Sequence, residues 1–241
     1  MTKIFFILIL VAFSSSKGQT FGFGCLGLSG FYAGITHQYY DTPGLNEYIN
    51  SSILFSNYNT RIDFKRGTGY RIGANIFRAK FDVLFITAKG YYQFLKESYE
   101  RTNVNPEEGN QKFELAMNHW GVGLDFGVPL FSIVDWKIVE GNVTFYNAEL
   151  TEEYLNTDGA QTSETKYNLD KVKVGYFVGS GLILHLVPDY ISVEATAGFS
   201  FIDIEKFSKD DVVIPISTSS NKAVNKGGFS ATVQLNVGFP L

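Results

Sequence analysis

The end of the chain alternates without a break. Phe229, Ala231, Val233, Leu235, Val237, Phe239 and Leu241 are apolar, and Ser230, Thr232, Gln234, Asn236, Gly238 and Pro240 lie between them. A period of two puts successive side chains on opposite faces of a β-strand. This segment therefore has one apolar face and one polar or small face, and it is long enough to cross a bilayer at a tilt.

The same pattern recurs upstream. Ile191, Val193, Ala195, Ala197, Phe199 and Phe201 alternate with Ser192, Glu194, Thr196, Gly198 and Ser200. Val172, Val174, Tyr176, Val178, Leu182, Leu184 and Leu186 share one parity, and Lys173, Gly175, Gly179, Gly181 and His185 share the other. Trp120, Val122, Leu124, Phe126 and Val128 alternate with His119, Gly121, Gly123, Asp125 and Gly127. Tyr70, Ile72, Ala74 and Ile76 alternate with Arg71, Gly73 and Asn75, and a first strand lies near Phe31 to Tyr40. Two further strands, near 81–99 and 133–150, change phase: the first around Phe85 and Ile86, the second around Glu140 and Gly141, where a β-bulge is expected.

About eight strands result. Tight turns are expected at Ala79–Lys80, Pro129–Leu130 and Pro188–Asp189. Long polar connections are expected over 41–68, 101–111, 151–167 and 207–227. Leu45 to Ile53 could form a short helix, but so short a segment is marginal as a helix, and ordinary loop is the preferred reading. Short turns on one side and long loops on the other are the mark of an outer-membrane barrel with periplasmic termini.

The N-terminus reads as an export signal. Lys3 precedes an unbroken apolar run from Ile4 to Phe13, which is too short to span a bilayer as a helix. Ser16 and Gly18 are small residues placed for a cut before Gln19, so residues 1–18 are expected to be the signal and residues 19–241 one barrel domain. The single Cys25 allows no intrachain disulfide and no thiolate zinc cluster, and Gly22 and Phe23 just upstream argue against lipidation there. After the signal no long apolar stretch remains. A chain that crosses a membrane must then close as a barrel, which satisfies every backbone group.

A soluble barrel would turn its polar faces to water. In the last three strands those faces carry Ser, Thr, Asn, Gln and Gly and few charges, which suits a narrow lumen better than a solvated surface. Aromatic residues make up 16% of the chain, enough to girdle a barrel at both interfaces. Tyr39, Tyr40, Tyr70 and Tyr146 are expected at the outer rim, and Phe77, Phe131, Trp136, Tyr190 and Phe239 at the inner rim. The expected fold is all-β, a closed antiparallel up-and-down transmembrane β-barrel of about eight strands.

With its export signal, eight alternating segments, uneven connections and alternating last strand, the chain resembles the small outer-membrane β-barrel families of Gram-negative bacteria, the OmpA/OmpX-like and PorT-like barrels. The resemblance covers nearly the whole mature chain. Such strands commonly end on an aromatic. This one ends Phe239, Pro240, Leu241, with Phe239 keeping the parity. The resemblance implies location in the cell outer membrane, contact with outer-membrane lipid, and delivery by the barrel-insertion machinery. No peptidoglycan-binding domain follows the barrel, so an anchoring role of that kind is not expected.

Motifs for chemistry are sparse. Gly22, Gly24 and Gly27 have dinucleotide-binding spacing but no βαβ context. Asn50–Ser52 and Asn142–Thr144 match a glycosylation pattern that is ordinary in a bacterial barrel. His37 near Asp41, with a loop serine, is the one enzyme-like constellation, and a general base needs a positioned partner that spacing does not supply. No catalytic, cofactor-binding or metal residue is assigned. Net charge is −4 with no basic stripe, which excludes nucleic acid as a partner.

The polar faces carry Arg71, Lys89, Asp125, Lys137, Lys173 and Glu194. In a narrow lumen these charges must pair, because an unpaired buried charge is costly. They are expected to form a charge network that plugs the barrel, with Tyr91 and Phe177 adding bulk and water-sized space left by inward glycines. The expected function is non-enzymatic: long extracellular loops displayed for binding, adhesion or envelope organisation, the ligand or protein partner being unknown. The alternatives are a small passive channel for ions or hydrophobic solutes and a lipid-modifying outer-membrane enzyme.

Overall fold

Antiparallel pairing passes from strand to strand until it closes on itself. The structure is a computed structural model that describes residues 20–21, 30–51, 60–81, 83–102, 109–188, 190–210, 212–214 and 222–238. In chain order the elements are β1 (Thr20–Phe21), β2 (Gly30–Asp41), α1 (Pro43–Ser51), β3 (Arg66–Lys80), β4 (Phe85–Thr102), β5 (Asn110–Phe131) and β6 (Val134–Leu155), then β7 (Gln161–Asn168), β8 (Lys173–Val187), β9 (Ile191–Phe201), β10 (Ser208–Lys209), β11 (Val212–Val213) and β12 (Lys226–Gly238). Eight of them, β2, β3, β4, β5, β6, β8, β9 and β12, pair in that order, and β12 returns to pair with β2 over Gly238↔Gly30 to Lys226↔Asp41. Closure leaves no strand edge at the level of the bilayer. The expected signal 1–18, Cys25, the glycine motif near residue 24 and Phe239 lie outside the described residues.

The turns differ in detail from expectation. β5 continues through Pro129, which sits opposite Asp135, and the tight turn is Ser132–Ile133, with Phe131↔Val134 closing it. β3 runs to Lys80, so the turn expected at Ala79–Lys80 comes after it. The phase change near Phe85 is the start of β4. The bulge in β6 is at Ile138–Val139: both are exposed, while Lys137 and Glu140 on either side are both buried.

The outer connections are more ordered than the sequence predicts. The segment expected as a polar loop over 151–167 is a hairpin, since β6 extends to Leu155 and returns as β7. Where ordinary loop is the preferred reading of Leu45 to Ile53, the chain is helical as far as Ser51, in α1, and residues 52–53 lie outside the described residues. Pro43 suits its first position, and Asn46 N–H donates to Thr42 O at 2.9 Å to close the first turn. Leu45 and Ile49, one turn apart, are buried together. Alone so short a helix is unstable; its apolar face in a core is what holds it.

Along β4, β5 and β6 the polarity of the two faces reverses. In β5 the outward residues Trp120, Val122, Leu124 and Phe126 are exposed and apolar, while His119 and Asp125 point inward and are buried. Toward the start of the same strand Phe113, Leu115 and Met117 are buried inside, and Lys112 and Glu114 face out. In β4 the outward side passes from Tyr92 and Phe94 to Lys96, Ser98 and Glu100, and in β6 from Val143 and Phe145 to Glu149 and Glu153. The reversals share one level, because Gln93 pairs with His119 and His119 with Tyr146. Below it the barrel is apolar outside, as lipid requires; above it the sheet is apolar inside, as water requires.

Candidate functional site

The interior below the reversal holds a charge network. The Lys89 ammonium lies 3.0 Å from Asp125, 2.8 Å from Glu140 and 3.8 Å from Glu194. These are contacts of charge, without a well-aligned hydrogen bond. The Lys137 ammonium meets Glu140 and Glu194, lies 3.9 Å from Asp125, and donates to Thr196 Oγ1 at 2.6 Å. Arg71 Nη1 is 3.8 Å from Glu140, its Nε donates to Gln93 Oε1 at 2.7 Å, and its guanidinium stacks 4.2 Å from the Tyr91 ring centroid. All six charged groups are buried. Three cations face three anions, so the cluster is balanced, the condition under which charge tolerates a low dielectric. By spacing, Asp125, Glu140 and Glu194 could hold a metal ion, but each carboxylate already meets both ammonium groups.

Five of the six residues expected in this network come together: Arg71, Lys89, Asp125, Lys137 and Glu194. Lys173 does not. Its inward parity is right, but it sits at the outer end of β8, where it is part-exposed and 3.8 Å from Glu205. The sixth member is Glu140, turned inward by the bulge before it. Asn142 of the glycosylation-like motif is also inside and donates to Glu140 Oε1 at 2.8 Å.

Aromatic rings take the room left by inward glycines. A Cβ on Gly121 would sit 2.2 Å from the Tyr91 ring, and one on Gly73 would sit 2.4 Å from Tyr32. Phe177 lies in the same way against Gly179, and Phe85 against Gly127. Toward the short-turn end lies a second cluster: Asp135 is 3.4 Å from Arg78 and 2.9 Å from His185 Nε2, and the Arg78 guanidinium lies 5.0 Å from the Phe85 centroid.

Above the reversal the interior becomes an apolar core. Leu45 and Ile49 of α1 pack with Ile62, Phe64, Leu95, Phe113, Leu115 and Leu150. Tyr40 and Tyr146, expected on the outer rim, turn inward into this core, while Tyr39 and Tyr70 remain exposed. At the opposite rim Phe131, Trp136 and Tyr190 are exposed as expected, and Phe77 is half-buried. Polar groups fix the lid. Asn46 and Asn50, one helical turn apart, grip the extended segment beneath them: Phe64 N–H donates to Asn46 Oδ1 at 2.8 Å and Ile62 N–H to Asn50 Oδ1 at 3.0 Å. Arg101 donates to the Ile49 carbonyl at 3.3 Å, a cation at the helix C-terminus. Burial pushes the Tyr48 phenol well above its usual range, helped by its 3.2 Å hydrogen bond with Tyr167. Glu97 receives Tyr40 and Tyr99 hydroxyls at 2.7 and 2.8 Å and the backbone N–H groups of Lys65 and Arg66 at 3.0 and 2.9 Å.

His37 faces outward. Its Nδ1 is 2.9 Å from Thr68 Oγ1 and its ring packs on Tyr39. Asp41 receives a 3.4 Å hydrogen bond from Asn225, so the two residues of the enzyme-like constellation have separate partners. His119 is buried between Tyr91 and Tyr146.

A closed ring of eight antiparallel strands with an apolar exterior and a buried polar interior is a transmembrane β-barrel, here with short turns at one end and long connections at the other. Among solved structures it is similar to Neisserial surface protein A, with a TM-score of 0.46 at 13% identity over 92% of this chain and 100% of that one. Ail, the attachment invasion locus protein of Yersinia pestis, matches at 0.41 and 11% identity over 93% and 100%. The outer membrane protease OmpT of Escherichia coli matches at 0.41 and 9% over 88% and 94%. No family model matches the chain, and no curated protein matches it.

Proposed function

We propose that the protein is a non-enzymatic outer-membrane barrel whose closed body holds its outer elements in position to bind a partner. It reaches the membrane through the signal at residues 1–18 and the barrel-insertion machinery. The observation that carries this reading is the filled interior. The Arg78–Asp135–His185 cluster, the charge network and the apolar core under α1 follow one another from the short-turn end to the outer end. A passive channel needs a continuous wet path, and the buried side chains at these successive levels argue against one. A lipid-modifying enzyme that acts at the outer rim needs a nucleophile or base with a positioned partner there; His37 and Asp41 face different neighbours, and the His185–Asp135 pair lies at the short-turn end. What extends into solvent is a wall built by β4, β5, β6 and β7, with Lys96–Glu114, Lys112–Glu153 and Lys166–Glu149 pairs across its outer face.

The test has two parts. Purified protein in a planar bilayer is expected to give no sustained porin-like conductance; such a conductance would promote the channel reading. Replacing the β6–β7 hairpin by a short turn should leave the barrel folded and remove binding to whatever surface or partner the intact protein retains. Unchanged binding would sink the display reading.

A further inference from the structure

The corner between β7 and β10 holds an open cleft of about 580 Å³, and its lining consists of described residues. That volume falls within the range of small-molecule sites, about 300–1,000 Å³. One side is the outer face of β7, with Glu164, Lys166 and Asn168; the other is Ser208, Lys209 and Asp210. The two sides meet where Ser208 pairs with Asn168. β10 then turns into β11 beyond Lys209↔Val212, and Asp210 enters that turn at φ 50°, a left-handed conformation that Asp tolerates better than most side chains.

The lining is polar and balanced in charge. Glu164 and Lys166 pair at 3.0 Å, and Asp170 pairs with Lys206 at 3.0 Å. Lys209 and Asp210 add one charge of each sign. A ligand with net charge of either sign therefore meets repulsion along with attraction. Among the described residues that line the cleft, only Leu169 is apolar, so an apolar ligand finds little to cover. What the cleft offers is donors and acceptors set side by side: ammonium groups, carboxylates, the Asn168 amide and the Ser208 hydroxyl. A sugar presents the same alternation. Each of its hydroxyls both donates and accepts, and two neighbouring hydroxyls can share one carboxylate.

The acceptors are oriented in advance. The Ser208 hydroxyl and the Lys206 ammonium hold the Asp170 carboxyl below its usual range, and the hydrogen bond from Lys166 does the same for Glu164. Both carboxylates are ionised at neutral pH, and each keeps lone pairs for further donors. Their ion pairs are exposed, hence weak and able to yield to a ligand. The cleft also stands clear of lipid. Asn168 faces Glu149, three residues beyond Tyr146 at the polarity boundary, about 10 Å along the strand.

We propose that the cleft between β7 and β10 binds a short neutral oligosaccharide, whose hydroxyls bond to Asp170, Asn168, Ser208 and Glu164. The site rests on the display reading and names the ligand's chemistry. The same sugar can arrive free in solution or as the headgroup of a glycolipid in the membrane.

The probe is an array of immobilised neutral di- to tetrasaccharides, each beside its sulfated and its amino counterpart. The folded full-length protein is applied in a detergent without sugar headgroups. Saturable binding to one or more neutral members is expected, with sulfated and amino counterparts at least tenfold weaker. The bound sugar, added free to isotope-labelled protein, should shift the amide signals of residues 164–170 and 208–210. Asp170→Ala and Asn168→Ala should each weaken binding at least tenfold while the rest of the amide spectrum stays unchanged, and Glu100→Gln, on β4, should leave binding as it is. Competition by the free sugar assigns a soluble source; binding only when the sugar heads a glycolipid in vesicles assigns a membrane source. No neutral sugar bound in either form, shifts confined to other residues, or parental binding by both alanine variants would overturn the site. Equal binding of the charged counterparts would overturn its preference for neutral sugar. If the hairpin replacement abolishes partner binding while no sugar binds, the display reading stands and the glycan cleft falls.

Discussion

The membrane body and the outer dome of this protein are built from the same strands with opposite polarity. In the body the interior is held by paired charges and the exterior by lipid-facing Trp120, Val122 and Leu124; in the dome the interior is Phe113, Leu115, Leu150 and the buried face of α1, and the exterior is a lattice of Lys–Glu pairs. Which face is apolar follows the solvent outside. The β-strand itself imposes only the period of two. One continuous ladder can thus serve two environments, with a boundary written in side chains alone.

The comparison can be broken at several points. Glu140→Gln should have the largest effect, about 3–5 kcal/mol of lost stability, because it leaves Lys89, Lys137 and Arg71 facing too little negative charge in a buried place. Urea unfolding in detergent or vesicles would measure it, and a loss below about 1 kcal/mol, within the range of ordinary surface changes, would mean the network is solvated. Leu115→Ala should cost about 2–5 kcal/mol by opening a cavity in the dome core, read in the same unfolding assay. Leu124→Arg, on the lipid face of the same strand, should cost about 2–4 kcal/mol near the midplane and slow folding into vesicles. Ser98→Arg, also facing outward but above the boundary, should change stability by about 0.5 kcal/mol or less. Equal costs for the last two would erase the distinction between body and dome.

Much of the body was legible in the sequence because each of its strands buries one face and wets none of the other. The alternation over 191–201 and in the last strand placed those segments within a few residues, and the inward parity of Arg71, Lys89, Asp125, Lys137 and Glu194 brought five network members together. Glu140 escaped because a bulge shifts parity by one, and the sequence marks a slip without saying on which residue it falls. Lys173 has the parity of the lumen but stands beyond its outer end, a matter of height that periodicity does not carry. The dome was the harder part. Its strands alternate in the reversed sense, so 151–167 reads as a polar loop although it forms a hairpin. The helix α1 is too short to be stable on local preference, and its stability comes from Leu45 and Ile49 meeting residues far away in sequence. Tyr40 and Tyr146 fit an aromatic girdle at the outer rim by position alone, yet Glu97 and Gln38 give their hydroxyls buried partners.

The reversal along β5 is the claim on which body, dome and display all depend, and spin labels can follow it residue by residue. With Cys25 replaced by Ser, single cysteines would be placed in turn at the outward positions Lys112, Glu114, Ala116, Asn118, Trp120, Val122, Leu124 and Phe126, and the labelled protein reconstituted in vesicles. Collision with a water-soluble relaxant should dominate from 112 to 118 and collision with oxygen dissolved in lipid from 120 to 126, switching between Asn118 and Trp120. Lipid exposure persisting to 112, or water exposure continuing down to 126, would contradict the account.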